Sequence, residues 1–169
     1  FELFDQYYQV MYDREVTKNE DFVALRKQRK HIDHLHEQAA YKLHKTAEKP
    51  SSSDATIAER ELTRILDRRL VGAGYDAFKA NTITREILRL SDERLVMLVH
   101  RPRRGYEFEV RSLQEYMAAR ALTEGPDERV LERLETLIPS SHWRNAWLLA
   151  AGRVLRDREH LAALLFDRV

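Results

Sequence analysis

The chain has 169 residues, of which 43% are hydrophobic and 34% are charged, and its formal net charge is +1. This composition predicts a soluble helical protein with a real core, and the small net charge offers no general attraction to nucleic acid or to acidic membranes. The sequence contains no cysteine, which excludes disulfides and a thiol nucleophile, and no apolar run reaches the roughly 20 residues that span a bilayer.

Apolar residues at helical spacing predict four helices in the first half of the chain. The first helix carries an apolar stripe, whose members are Phe1, Phe4, Tyr8, Met11 and Tyr12. The second helix is long and runs from about Asp21 to Ala47. The third opens with a predicted capping box, Thr56-x-x-Glu59, in which each side chain would bond the backbone N–H of the other residue. The fourth is predicted for about Thr82 to Leu90.

An apolar run at 95–99 and a run of alternating apolar and polar residues at 106–110 predict a β-hairpin. The arginine-rich turn 101–105 joins them. Ser112 follows the second strand and forms a capping box with Glu115, which predicts a helix that continues to about Thr123. Three helices followed by a hairpin is the order of a winged-helix domain.

Gly125 and Pro126 end this helix and mark a predicted domain boundary. Beyond them, helical periodicity predicts short helices at 130–137, 143–155 and 160–166. The fold class that we expect is therefore mainly α, with a winged-helix domain (helices plus one β-hairpin) followed by an α-helical segment.

The segment from Tyr106 to Arg120 resembles the end of the winged-helix domain in NACHT-type STAND NTPases. In that family a strand runs into Ser/Thr-Phe/Leu-Gln-Glu-Tyr/Phe and then Ala-Ala. The residues that match this motif are Ser112, Gln114, Glu115 and Tyr116. Softer matches extend the resemblance to both ends, and these are Leu3–Tyr7, Arg14-Glu15, Trp143-Arg144 and Leu149–Gly152. Because the chain starts without methionine inside an amphipathic segment, we expect it to be a fragment of a longer protein.

The resemblance implies three parts of the chain. Residues 1–18 would end a preceding helical domain, 19–125 would form the winged-helix domain, and 126–169 would begin a second helical domain. The winged helix would move as a rigid body about hinges at Asn19–Asp21 and Gly125-Pro126. The apolar stripe of the first helix would dock on the missing NTPase core.

The function that the resemblance implies is regulatory and non-catalytic. The chain would belong to a nucleotide-switched receptor of bacterial innate, antiphage defence and would couple nucleotide state to oligomerisation. ATP or ADP with Mg²⁺ would bind in the missing NTPase core rather than in this fragment. The expected partners are that core, neighbouring protomers and an unknown trigger or effector, in the cytoplasm and without membrane contact.

One residue of the family pattern is missing. The receptors often carry a histidine two residues before the motif serine, where it contacts the β-phosphate of bound ADP. Here that position is Val110, which offers neither a donor nor a charge. The weak substitutes are Arg111, which would point to the opposite face of a continuing strand, and His100, which lies across the hairpin. No Walker A sequence is present, so we expect no nucleotide hydrolysis from this chain alone.

Two other functions fit the same predicted elements. A winged-helix DNA-binding regulator would read bases with the fourth helix and hold phosphate with the hairpin turn. The candidate contacts are Arg85, Arg89, Arg101, Arg103 and Arg104, with Thr82 and Thr84 beside them. Glutamates on the same helix and strands oppose this function, so nucleic acid is not the expected partner. The third possibility is a helical adaptor that displays a groove to another protein.

Neither metal binding nor catalysis is predicted from the side-chain clusters. In His31-x-x-His34-x-His36, only His31 and His34 share a helix face, and two ligands do not make a strong site, so no metal is expected. Ser140, Ser141 and His142 are adjacent in sequence, which is not the geometry of a catalytic triad. The two serines are predicted to cap the helix that follows.

Overall fold

Helices dominate the computed structural model, which describes residues 1–17, 26–48, 55–89 and 94–166. The first four helices are α1 (Glu2–Thr17), α2 (Arg29–Ala47), α3 (Glu59–Gly72) and α4 (Ala77–Arg89). A small sheet separates them from α5 (Arg111–Leu122), α6 (Asp127–Leu137), α7 (Arg144–Asp157) and α8 (Ala162–Phe166). Short 3₁₀ turns, Ser141–Trp143 and Glu159–Leu161, precede α7 and α8. The prediction of a mainly helical fold is confirmed.

The start of α4 differs from its prediction, whereas the predicted start of the second helix is not tested. The predicted beginning of the second helix, near Asp21, lies outside the described residues, as does the predicted hinge at Asn19–Asp21. Helix α4 begins at Ala77, one and a half turns before the predicted Thr82, because Asp76 caps it. The carboxylate of Asp76 accepts from the backbone N–H of Lys79 at 2.9 Å, which satisfies a donor at the helix N-terminus.

Both predicted capping boxes are wrong. Helix α3 has Ala58 as its N-cap, and the hydroxyl of Thr56 donates instead to the carbonyl of Arg104 at 2.7 Å. Helix α5 begins at Arg111, with the extended residue Val110 as its N-cap and without a side-chain cap. The carbonyl of Val110 accepts from the N–H groups of the first turn, so the helix starts two residues too early for Ser112 to cap it.

Three antiparallel strands form the sheet in the described part of the chain, in the order β1 (Arg94–Leu95), β2 (Leu98–Arg101) and β3 (Gly105–Phe108). The predicted hairpin corresponds to β2 and β3, which pair His100 with Tyr106. The predicted strand 95–99 is in fact split by a tight turn, in which Val96 has a φ of 53°. A turn at this point pairs Leu95 with Leu98 and adds a third strand to the sheet.

Ile57, just before α3, forms a further bridge to the free edge of β3. Its N–H and carbonyl exchange hydrogen bonds of 2.9 and 2.8 Å with Tyr106. The approach is so close that a Cβ added to Gly105 would lie 2.6 Å from the carbonyl oxygen of Ile57, and Gly105 also has a φ of +108°. Both facts require glycine at position 105.

Helix α5 lies at the centre of the fold. It packs mainly against α2 and α7, and its residues are buried on almost every side, as is typical of a central core helix. The shared core reaches from Tyr8 in α1 to Leu165 in α8. The predicted domain limits at 18/19 and 125/126 stay a prediction.

The side chain of Arg133 forms hydrogen bonds with the backbone at the end of α5 and in the turn that follows. Arg133 donates to the carbonyls of Ala121 and Leu122 at 2.8 and 3.0 Å, and also to that of Glu124. These bonds satisfy carbonyls that the helix end leaves without partners. Bending at the predicted Gly125-Pro126 hinge would have to break them.

Within the described ranges, no helix combines the length and the apolar character needed to cross a membrane.

Candidate functional site around helix α5

Two motif residues of α5 join it to elements on either side. The ring of Tyr116 is fully buried and stacks on Phe4 of α1 with 5.4 Å between ring centroids. Its hydroxyl donates to Asp5, and burial together with this bond raises the pKa of Tyr116 to about 12. Glu115 is also buried and accepts from the side-chain amide of Asn145 in α7 at 3.3 Å. The motif therefore connects α1 and α7 through neighbouring residues.

A second contact closes this junction. Arg156, near the end of α7, donates to Asp5 at 3.1 Å, and its guanidinium lies 4.9 Å from the ring centre of Phe1. The other two motif residues, Ser112 and Gln114, are partly exposed on the first turn of α5. Helices α1 and α7 thus contact each other as well as the motif helix.

The apolar stripe of α1 faces the chain's own core. Tyr8 and Tyr12 are each 1% exposed, and the remaining stripe residues pack against the same core. The expectation that this stripe docks on another domain is therefore wrong for Tyr8, which is buried in the chain's own core, whereas Phe1, Phe4 and Met11 are half-buried. We call the opposite side the outer face of α1; its apolar residues are Leu3, Tyr7 and Val10, exposed by 74%, 46% and 64%.

The predicted nucleotide-sensor position lies beside this outer face. Val110 is 43% exposed and helps to line a shallow, mainly apolar cavity of about 250 Å³. The other lining residues are Leu3, Phe4, Tyr7, Ser112 and Leu113. Arg111, next to Val110, extends into solvent and contacts Glu115 at 3.2 Å. His100 is not part of the cavity; it lies on β2 and stacks on Tyr106 at 4.8 Å.

The predicted DNA contacts separate into accessible and inaccessible residues. Arg85 and Arg89 are exposed on α4, and Arg101, Arg103 and Arg104 are exposed around the β2–β3 turn. Arg101 is paired with Glu107 at 2.7 Å, which offsets its charge. Thr84 is buried and donates to Asp67 at 2.7 Å, so it cannot reach a base.

A buried polar cluster connects α1, α2 and β1. His36 is completely buried; its Nε2–H donates to the carbonyl of Leu95 at 2.9 Å, and its Nδ1 lies 3.2 Å from the hydroxyl of Tyr8. That hydroxyl donates to Asp33 at 2.6 Å. Burial lowers the pKa of His36, which favours its neutral form. The cluster fixes the position of α1 on α2.

A second cluster joins α2 to the end of α5 through two carboxyl groups, which we call the acid pair: Glu37 and Glu124. Arg120 donates to Glu37 at 2.8 Å, but burial and a hydrogen bond with Glu124 still raise the pKa of Glu37 to about 8. The His34 ring, with Nδ1 at 3.5 Å from a Glu124 oxygen, holds the pKa of Glu124 down to about 2. The two carboxyl groups therefore titrate as one coupled pair, which holds a proton more tightly than an isolated glutamate does.

The remaining chemical candidates have structural partners. His31 packs edge-on against Tyr75 at 5.8 Å, and it is not part of the group formed by His34, Glu37 and Glu124. Ser140 does not cap a helix, because its hydroxyl donates to Glu48 at 2.8 Å. The Nε2–H of His142 donates to the carbonyl of His44 at 2.8 Å. These bonds join α2 to the start of α7.

Sequence reasoning missed the acid pair and its arginine. Glu124 stands in a Thr-Glu-Gly-Pro turn and gives no local sign of a partner on α2. Arg120 could have been recognised, since it is the one charged residue between Ala118 and Leu122 in an otherwise apolar run. A lone charge in such a run predicts a buried ion pair, although not which acid completes it.

Comparison of the chain with models of known protein families, with curated proteins and with solved structures found no match. A functional proposal therefore depends on the sequence resemblance and on the geometry of the described residues.

Proposed function

We propose that the chain is a regulatory, non-catalytic part of a nucleotide-switched receptor of the NACHT type, with a winged helix at its centre. The observation that carries the proposal is the α5 motif, whose Glu115 and Tyr116 contact α7 and α1. In this proposal the motif transmits the position of one flanking segment to the other. Nucleotide binding and any hydrolysis belong to an NTPase core elsewhere in the receptor, with ATP or ADP and Mg²⁺ as its ligands.

The order of elements supports the winged-helix assignment. Helix α2 is followed by the short Ile57 bridge, then by α3 and α4, and then by the β2–β3 hairpin. The bridge adds a short strand to the edge of the hairpin between the first and second of three helices. A winged helix combines these parts in this order, and the hairpin turn at 101–105 would be its wing.

The contacts of α5 support movement as one body. Tyr116 and Asp5 tie α1 to α5, while Arg156 of α7 bonds the same aspartate. The shared core adds apolar contacts along the same junction. Since breaking it would expose buried rings and an unpaired carboxylate, a switch would displace these helices together rather than separate them.

The outer face of α1 is the surface that the NTPase core would cover. The resemblance assigns position 110 to the nucleotide, and Val110 lines the same cavity as Leu3 and Tyr7. A core that brought bound ADP towards Val110 would therefore cover the exposed side chains of α1. Valine supplies no polar contact to phosphate, so in this proposal the closed state is held by apolar contact.

Charged substitutions on that face test the proposal in the protein encoded by the complete gene. Leu3→Asp with Val10→Asp is expected to accelerate ADP release, because the core could no longer bury this surface. Phe78→Asp is the matched control, since Phe78 is an apolar residue of α4 with 85% exposure. Equal ADP release from wild type and from the α1 double variant would contradict the proposed contact.

The exposed arginines of α4 and the wing favour one alternative, a winged-helix DNA-binding regulator. Arg85, Arg89 and Arg103 would then contact phosphate or bases. A mobility-shift assay at two salt concentrations distinguishes the proposals, since binding through phosphate contacts weakens steeply with salt. Salt-sensitive binding that Arg85→Ala with Arg89→Ala abolishes would favour DNA recognition; the receptor proposal predicts no shift.

A further inference from the structure

Three side chains from two distant segments converge beside the α5–α6 turn. His34 and Glu37 lie on adjacent turns of α2, and Glu124 follows α5. One potential ligand atom from each residue lies within 4.8 Å of the other two. Sequence spacing shows only the His34-x-x-Glu37 half of this arrangement.

One nitrogen of the His34 imidazole is buried and makes no hydrogen bond to the described residues. Nδ1 of His34 is shielded from solvent and has no hydrogen-bond partner within the described part of the chain. It lies 3.5 Å from an oxygen of Glu124, which is within ion-pair distance, but the two atoms form no hydrogen bond. A buried polar nitrogen without a partner costs free energy, which a bound ligand would recover.

The two carboxyl groups are also placed for a cation. Glu37 is buried, and Arg120 donates to its Oε1, which holds the side chain in place. One oxygen of Glu37 and one of Glu124 lie within 4.8 Å of each other, a spacing from which both can bind the same ion. The side chain of Glu124 is 42% exposed, so an ion can enter from solvent on that side.

We propose that His34, Glu37 and Glu124 bind a divalent transition-metal ion, for which Zn²⁺ is the best chemical match. Zn²⁺ takes imidazole nitrogen and carboxylate oxygen at about 2.0–2.2 Å, which separates tetrahedral ligand atoms by roughly 3.4 Å. The observed spacing of up to 4.8 Å would have to shorten by about 1.4 Å at most. Three protein ligands leave a fourth position for water or for an outside ligand.

The bound ion would join α2 to the α5–α6 turn. This turn contains Gly125 and Pro126, the predicted domain boundary, and Arg133 already holds its carbonyls. The positive charges of Arg120 and of Arg69, which acts on Glu124, lower the affinity for a cation. We therefore expect a site of moderate affinity that responds to the metal concentration. The site is independent of the proposed receptor function.

Isothermal titration of the tag-free, chelator-treated chain with ZnCl₂ tests the site. We expect one Zn²⁺ per chain, and His34→Ala or Glu124→Gln should each weaken binding at least about 10-fold. Matched controls are His160→Gln and Glu128→Gln, exposed residues outside the cluster, which should bind as wild type does. Circular dichroism would verify that every variant is folded.

Two outcomes would overturn the proposal. Zn²⁺ binding that survives both His34→Ala and Glu124→Gln would place the ion on other histidines and overturn the proposal. Failure of the wild-type chain to bind Zn²⁺ would overturn it as well.

Discussion

The carboxyl group of Glu37 keeps its proton to a pH of about 8, because burial and Glu124 oppose its ionisation more than Arg120 favours it. Its folded pKa is raised above the unfolded value, so its contribution to stability is full below pH 4.5 and is lost as the pH rises towards 8. Glu124 has the opposite shift, and its contribution is lost only as the pH falls through about 2. Between pH 5 and 8, Glu37 therefore determines how the contribution of this pair to the free energy of unfolding changes with pH.

Glu37→Gln should remove this pH dependence of the free energy of unfolding. Relative to wild type, the variant is expected to gain stability as the pH rises from 5 to 8, by up to about 1.4 kcal/mol per pH unit. The buried His36 is common to both proteins and cancels in the difference. Urea unfolding across this pH range measures the effect, with exposed Glu128→Gln as the control. Parallel curves for wild type and Glu37→Gln would show that Glu37 is ionised in the fold.

Gly105 provides a second prediction at the level of single residues. Its positive φ and its distance to Ile57 leave no room for a Cβ, so Gly105→Ala should destabilise the chain by more than about 1 kcal/mol. Gly72 is the matched control, because nothing lies within 4 Å of a Cβ at that helical position. Gly72→Ala should be neutral or stabilising by about 0.5–1 kcal/mol. Urea unfolding that gave both variants equal stability would contradict the close approach of Ile57.

The sequence predicts a site residue from its local pattern, but it does not predict a partner that lies far away in the sequence. Tyr116 and Glu115 were recognised by local pattern, although their partners Asp5 and Asn145 were not. Those bonds join residues far apart in sequence, and local periodicity contains no information about them. The acid pair was missed for the same reason, since Glu124 meets α2 only in the folded chain.

At the scale of elements, periodicity predicted the helices and the hairpin but not their ends. The capping boxes at Thr56 and Ser112 failed because the Thr56 hydroxyl bonds the β2–β3 turn and α5 starts two residues early. The strand at 95–99 was split by the turn at Val96, where an apolar β-branched residue gave no turn signal. The start of α4 was missed although its cap is local, since Asp76 lies three residues before the N–H that it accepts from.

The junction between α1 and α5 leads to a prediction at this scale. Tyr116→Phe removes the bond to Asp5 and should destabilise the chain by about 1–2 kcal/mol. The loss should appear as faster hydrogen exchange in α1. Tyr7→Phe is the control, since that ring lies on the outer face of α1. Unchanged exchange in α1 after Tyr116→Phe would show that the hydroxyl does not hold the two helices together.

For the molecule as a whole, the shared core predicts that α1 folds as an integral part of the chain. Tyr8 and Tyr12 are buried with residues of α2 and α5, so the inner amides of α1 should be protected nearly as well as those of α5. Hydrogen exchange of the isolated 169-residue chain measures this. Exchange of α1 at the rate of an unstructured peptide would contradict the observed packing.

The central claim is that this chain works against a nucleotide-binding core, with Val110 and the outer face of α1 at the contact. The most direct measurement is the nucleotide that co-purifies with the protein encoded by the complete gene. The account predicts stoichiometric ADP, retained in wild type and lost faster from the Leu3→Asp, Val10→Asp variant. A nucleotide-free protein, with no phosphate-binding loop upstream of Phe1, would contradict it.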